Sequence, residues 1–283
     1  MPLASGTGFR TRNAYCPRCA WFARVRGPGN CPGDFPVGDG YWAALHLAPR
    51  VLAFGGDQRI AVWRGYLPRE RASWAKEFIP PRPPNTPAGS LNLSPFYNAS
   101  LIRAPFPGDT ELEAELNSLA ALPSGVQTWF GSVFDVRGVI QLDSGEMRRR
   151  FGGLAPVAVG PIPIGQHFHH LRVIHAAHWP ALDGAVIARY RIRYSDGLMA
   201  TVPVRFGHEI HGAWRRLDEP IPAPSGADVV WRGRNPIASR AGYAVVLYLM
   251  TWSNPRPEQP VESMELESTM TDSSVGIVAV TVE

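Results

Sequence analysis

Between residues 186 and 206 apolar side chains recur at every second position: Val186, Ala188, Tyr190, Ile192 and Tyr194, then Leu198, Ala200, Val202, Val204 and Phe206. A period of two puts such a set on one face of a β-strand, which predicts an antiparallel hairpin, Val186–Tyr194 with Leu198–Phe206. Opposed residues must share a face, so their numbers sum to an even value and the loop is odd. Ser195-Asp196-Gly197 supplies three residues, with Gly197 at the left-handed position. Arg193 then faces Met199 and Arg191 faces Thr201, while Arg189, Arg191, Arg193 and Arg205 share the outer face. Solvated charges of this kind discourage edge-to-edge pairing. A ligand surface is the alternative reading of the same arginines.

The same reading extends along residues 91–283. Val126–Leu142 is β-rich, with Gly131 and Gly138 as turn or bulge points. Leu171–His175 is a short apolar strand, Val261–Ser268 alternates, and residues 275–282 close the fold. Tyr243–Trp252 is apolar on both faces, as expected of a central strand, and Asn254-Pro255 ends it because proline has no donor for the ladder. Trp231 and Trp252 are expected to cap the core. Arg137 is expected to be buried against Asp135, Glu265 or Glu267. One helix is predicted over Thr110–Leu122: Thr110 and Glu113 fit a capping box, Leu112, Leu116 and Leu119 share a face, and Pro123 and Gly125 end it. Many short strands separated by turn residues predict an all-β antiparallel sandwich with one short helix.

Residues 1–40 are rich in Gly, Pro and Arg and show no sustained period. They read as a poorly structured tail, 41–63 as two short strands around Gly55-Gly56-Asp57, 69–79 as a short helix, and the proline-rich 80–90 as a linker.

Composition narrows the function classes. Of 283 residues, 45% are hydrophobic and 18% charged, enough for a packed core in one large or two ordinary domains. The net charge is +4, and Lys76 is the only lysine in an arginine-biased chain. That excess is too small to argue for nucleic acid. No apolar run reaches the ~18–20 residues of a membrane span. The first residues lack a secretory apolar segment, so the default expectation is a cytoplasmic protein or a piece of something longer.

Candidate chemistry falls into four sets. Cys16, Cys19 and Cys31, with His46, could complete a four-ligand zinc site. His167 and His169 would point the same way in a strand, as in a metal-binding jelly roll, though Val173 and Ile174 stand where the carboxylate ligand belongs; His208 and His211 are the distant candidates. Glu265, Glu267 and Asp196 could hold a structural calcium. No nucleophile elbow, phosphate loop or dinucleotide fingerprint occurs. The fourth set is aromatic. Trp179, Tyr194, Trp214 and Trp231 sit near predicted loops with Asp196, Arg232, Arg234 and Asn235, and together they make a candidate sugar-binding rim. Flat rings stack on apolar sugar faces while the polar groups bond hydroxyls.

Several stretches carry a family resemblance: "LNLSPFYNASL" (91–101), "LAALPSGVQTWFGSVFDVRGVIQL" (119–142), "LRVIHAAHW" (171–179), "ARYRIRYSDG" (188–197), "WRGRNP" (231–236) and "TWSNPRPEQPVESMELES" (251–268). In order and spacing, residues 91–283 resemble a galactose-binding-like jelly-roll domain from the C-terminus of large bacterial multidomain proteins. "VLAFGGDQRIAVW" resembles the end of one blade of a WD-repeat propeller. The resemblance implies a non-catalytic accessory module that binds carbohydrate. A protein-interaction or spacer domain is the alternative, and a metal-dependent jelly-roll enzyme using His167 and His169 trails both. It brings no catalytic residues with it.

Overall fold

The alternation at 186–206 becomes a hairpin with the register the sequence requires. In a computed structural model of the chain, which describes residues 78–103, 116–153, 155–221 and 223–283, Arg193 pairs with Met199 and Arg191 with Thr201. Gly197 takes the left-handed conformation at φ 84°. Tyr190, Ile192, Tyr194, Val202 and Val204 are buried beneath.

The strands among the described residues are β1 (Ala99–Ser100), β2 (Gly125–Trp129), β3 (Ser132–Val136), β4 (Gly138–Gln141), β5 (Ala158–Gln166), β6 (His170–His178), β7 (Val186–Tyr194), β8 (Met199–Arg205), β9 (Trp214–Arg216), β10 (Ala227–Gly233), β11 (Tyr243–Ser253), β12 (Val261–Ser268) and β13 (Ser274–Val282). The larger sheet runs β1-β4-β13-β6-β11-β10, with β9 also on β11; the smaller runs β5-β12-β7-β8; β2 and β3 form a two-stranded ribbon. From β4 to β7, successive strands alternate between the two sheets. The sheets pack face to face, so the fold is an all-β sandwich. Leu171, Val173, Ile277 and Val280 of the larger sheet meet Tyr190, Ile192, Met264 and Leu266 of the smaller in one core. Full burial of each such side chain contributes about 1.5–3 kcal/mol.

β11 is central, flanked by β6 and β10, and Ala244–Met250 is buried throughout. It ends at Ser253 as its Asn-Pro predicts. Asn254 then bonds across the sandwich: its Oδ1 accepts from the Tyr194 hydroxyl at 2.6 Å and its Nδ2 donates to the Phe168 carbonyl at 2.9 Å. The outer face of the larger sheet is apolar too. A second core forms there, in which Leu101, Leu122, Phe134 and Val136 pack with Ile174, Leu247, Leu249 and Val278.

The helices differ from expectation in part: of the Thr110–Leu122 helix, Leu116 is helical and the residues after it are not. Thr110, Leu112 and Glu113 lie outside the described residues. From Asn117 the chain makes turns, and the Leu119 amide donates to Leu101 at 2.8 Å instead of continuing a helix. Among the described residues two unpredicted helices occur, α1 (Gly145–Phe151) and α2 (Pro236–Arg240). In α1 the Ser144 side chain caps the Met147 amide and Gly152 ends the helix at φ 77°. In α2 Asn235 caps the Ala238 amide and Pro236 opens the first turn, where its missing N–H is harmless.

Residues 80–90, expected to be a linker, are docked on the sandwich by polar bonds. Ser90 donates to the Val133 carbonyl at 2.7 Å, Arg82 reaches Asp135 at 3.0 Å, and Val282 donates to the Gly89 carbonyl at 2.9 Å. All described residues belong to one compact unit, Glu70–Glu283. The strand pair at 41–63, the zinc candidates Cys16, Cys19, Cys31 and His46, and most of the 69–79 helix lie outside the described residues. Among the described residues no helix is long and apolar enough to cross a membrane.

Candidate functional site

Two short strands flank the start of β11 and bring distant aromatic side chains together. Trp214 of β9 pairs with Val245, and Arg216 with Tyr243. Trp231 of β10 pairs with Leu247, and Gly233 with Val245. These residues share the face of the larger sheet that looks away from the smaller one. The opposite face carries Tyr248, which pairs with His175, whose ring bonds Tyr190 across the core.

Gly233 is what lets Trp231 lie flat. A Cβ at Gly233 would come within 2.0 Å of the Trp231 ring. Strands lie ~4.8 Å apart, so the Trp231 ring and Trp214 flank Val245 about 10 Å from one another. Tyr243 extends the platform, its ring 5.7 Å from Trp214 at a tilt of 35°. Beside it, Arg216 donates to both oxygens of Asp218 at 3.0 and 2.7 Å and lies 3.1 Å from Glu219. Hydrogen bonding from Arg216 holds the Asp218 carboxyl below its usual range, so it is an acceptor at neutral pH. Half-buried rings beside exposed carboxylates and a guanidinium can stack on a sugar face and bond its hydroxyls. Replacing Gly233 by alanine is expected to lift Trp231 off the sheet, seen as a red-shifted and more quenchable Trp fluorescence, with a stability loss of about 1–3 kcal/mol.

The expected rim does not assemble as one surface. Arg232 is exposed but pairs with Val246, so alternation turns it to the face opposite Trp231. Arg234 is exposed beyond the strand end. Asn235 is buried and committed to the fold: it caps α2 and its Nδ2 donates to Asn117 Oδ1 at 3.1 Å and to the Ser118 carbonyl at 3.2 Å. Trp179 follows β6 with φ 61° and packs against Phe151 and His178 under the Arg150 guanidinium. Tyr194 and Asp196 lie at the far end of β11, where Tyr194 bonds Asn254. The eleven residues of β11 span about 35 Å at ~3.3 Å each. Tyr194 is buried under the Arg256 guanidinium, 4.7 Å from its ring centre, and Asp196 is paired with Arg256 at 2.6 Å. Of the expected rim, Trp214 and Trp231 alone share the platform. Tyr243, Arg216, Asp218 and Glu219 complete it.

The metal candidates are also dispersed. His167 and His169 lie in the loop between β5 and β6, not in a strand, so alternation does not aim them together. Val261 pairs with Tyr194 and Glu267 with Arg189. Glu267 is therefore five residues along β7 from Tyr194, ~17 Å from the turn that carries Asp196. Glu267 is bonded instead to Arg191 at 2.9 Å, and Glu265 pairs with Arg191 in the ladder. This acidic row on β12 offsets the basic row on β7, which explains why the arginine face is a balanced ladder. His208 contacts the Glu209 carboxylate at 2.9 Å, and His211 packs 4.6 Å from the Phe206 ring. Among the described residues no group of three or more His, Cys, Asp or Glu side chains is placed to hold a metal ion.

No known family, curated protein or solved structure matches the chain.

Proposed function

We propose that residues 91–283 form a galactose-binding-like jelly roll that binds carbohydrate without catalysis, on the platform of Trp214, Trp231 and Tyr243. The strand order supports the jelly-roll reading: β4-β13-β6-β11 opposes β5-β12-β7-β8, with β4 to β7 crossing between the sheets in turn. The observation that carries the binding reading is the placement of two half-buried tryptophans around Val245, at the margin of the second core on the face turned away from the smaller sheet, with the Tyr243 ring and the Arg216–Asp218 pair at their edge. That combination suits a pyranose, which needs a flat apolar partner and acceptors for its hydroxyls.

A glycan array probed with the whole chain tests the proposal. Trp214→Ala and Trp231→Ala are each expected to weaken binding ~30-fold, about 2 kcal/mol. Arg232→Ala, on the opposite face, is expected to leave it unchanged. A blank array, or full binding by both folded tryptophan variants, would sink the assignment.

A further inference from the structure

Among the described residues, β2 (Gly125–Trp129) pairs with β3 alone. Its hairpin closes through the two residues Phe130 and Gly131, both at positive φ, 50° and 80°. In such a hairpin Trp129–Ser132 and Gln127–Phe134 are the hydrogen-bonded pairs. The N–H and C=O groups of Val126 and Thr128 therefore point away from β3, and among the described residues no hydrogen bond reaches them. The other long edges carry features that block an incoming strand. β5 has Pro161 and Pro163, β8 has Pro203, and β10 has a bulge at Val230 and the charged Arg232. β2, with sequence GVQTW, has neither proline nor charge.

We propose that two copies of this chain pair antiparallel through β2, about a two-fold axis at Gln127. That register makes Val126 face the partner's Thr128 and Thr128 face the partner's Val126, giving four backbone hydrogen bonds. Trp129, whose ring packs 6.1 Å from Phe134 at the margin of the second core, falls opposite the partner's Gly125. A Cβ at Gly125 would meet nothing within 4 Å, so no side chain obstructs the strand approach there. No like charges oppose one another, which a self-paired strand requires because each residue meets its own neighbours. The exposed side chains fit the same contact. Phe130 is 56% exposed and Val126 40% exposed, and Phe130 holds a left-handed conformation uncommon for an aromatic residue. A five-residue edge is small, well under the ~1,200 Å² of a stable interface, so the dimer is weak and concentration-dependent. This surface is independent of the glycan platform.

Sedimentation velocity on the full chain over a rising concentration series is the test. Wild type is expected to shift reversibly from monomer toward dimer. Gln127→Lys and Gln127→Glu each set like charges against each other at the axis and are expected to raise the dissociation constant at least ~tenfold. An equimolar mixture of the two is expected to restore association. Thr128→Pro removes an N–H that β3 does not use, so it is expected to abolish association with an unchanged melting temperature. A wild type that stays monomeric, association unchanged in both charged variants, or a mixture that stays monomeric would overturn the proposal.

Discussion

Replacing Asp135 by alanine is expected to destabilise the sandwich by about 3–5 kcal/mol, the cost of leaving a buried charge without its partner. Asp135 and Arg137 are each only 1% exposed. Asp135 accepts from Arg137 Nε at 2.7 Å and Nη2 at 2.9 Å, and from Arg82 at 3.0 Å. Arg137 also donates to the Pro80 carbonyl at 3.0 Å and to Ser94 at 2.6 Å, beneath the Tyr97 ring. A buried carboxylate can neutralise itself by taking a proton, but a guanidinium cannot lose one in this range. Without Asp135 the Arg137 charge stays and only neutral acceptors remain. The same pair anchors residues 80–97 on β3 and β4, so its loss frees that segment as well. Urea unfolding measures the effect. The double variant Asp135→Leu/Arg137→Met is expected to be less destabilised than Asp135→Ala, because it removes both charges and fills the space with apolar atoms. A loss below about 1 kcal/mol in Asp135→Ala would place the pair in the energetic class of exposed salt bridges and refute its anchoring role.

The burial of Arg137 against a carboxylate was legible in the sequence, but its partner was left open among Asp135, Glu265 and Glu267, and the structure pairs it with the local one, Asp135. The 186–206 hairpin was legible because a period of two and an odd loop leave one register. β11 announced itself by being apolar on both faces. The aromatic platform was not legible because its geometry depends on pairing between distant strands. Trp231 reaches the outer face only because of the bulge at Val230, which pairs Val229 with Tyr248 but Trp231 with Leu247. Plain alternation would send Trp231 to the same face as Val229, away from Trp214. No local window of "ADVVWRG" contains that information. Tyr243 carried no signal beyond its place at a strand start. Asn235 is the opposite case: an Asn-Pro step is a helix-start signature, readable in the sequence, yet a polar residue beside Gly and Arg also resembles a ligand-binding loop. Tyr194 belonged to both the buried alternation and the candidate rim, and the alternation prevailed because the hairpin register leaves its ring no route to the surface.

Acidification from pH 6.5 to about 4 is expected to remove on the order of 3 kcal/mol of stability through His175 alone. His175 is fully buried in the sandwich core. Its Nε2 lies 2.9 Å from the Glu209 carbonyl, which can only accept, so Nε2 carries the proton. Nδ1, 2.7 Å from the Tyr190 hydroxyl, is then the acceptor. In the neutral ring both nitrogens and the Tyr190 hydroxyl proton are paired, whereas a second ring proton on Nδ1 would take the Tyr190 oxygen as acceptor and displace the hydroxyl proton from its partner. Burial pushes its pKa from 6.5 down to about 4, outweighing the hydrogen bond to the Glu209 carbonyl, which acts the other way. Between those two values the unfolded chain binds a proton that the folded one refuses, so stability falls as pH falls. The Glu209 carboxylate adds a separate acid loss at lower pH. Burial raises its pKa, but hydrogen bonds from the Arg205 side chain and backbone outweigh that and hold it below its usual range. Comparison with His175→Gln isolates the imidazole. At neutral pH the variant is expected to be the less stable of the two, and the gap to wild type is expected to narrow steadily down to about pH 4. Parallel stability curves for the two proteins would mean that His175 takes up its proton inside the fold, and the assigned tautomer, with Tyr190 as donor, would then be wrong.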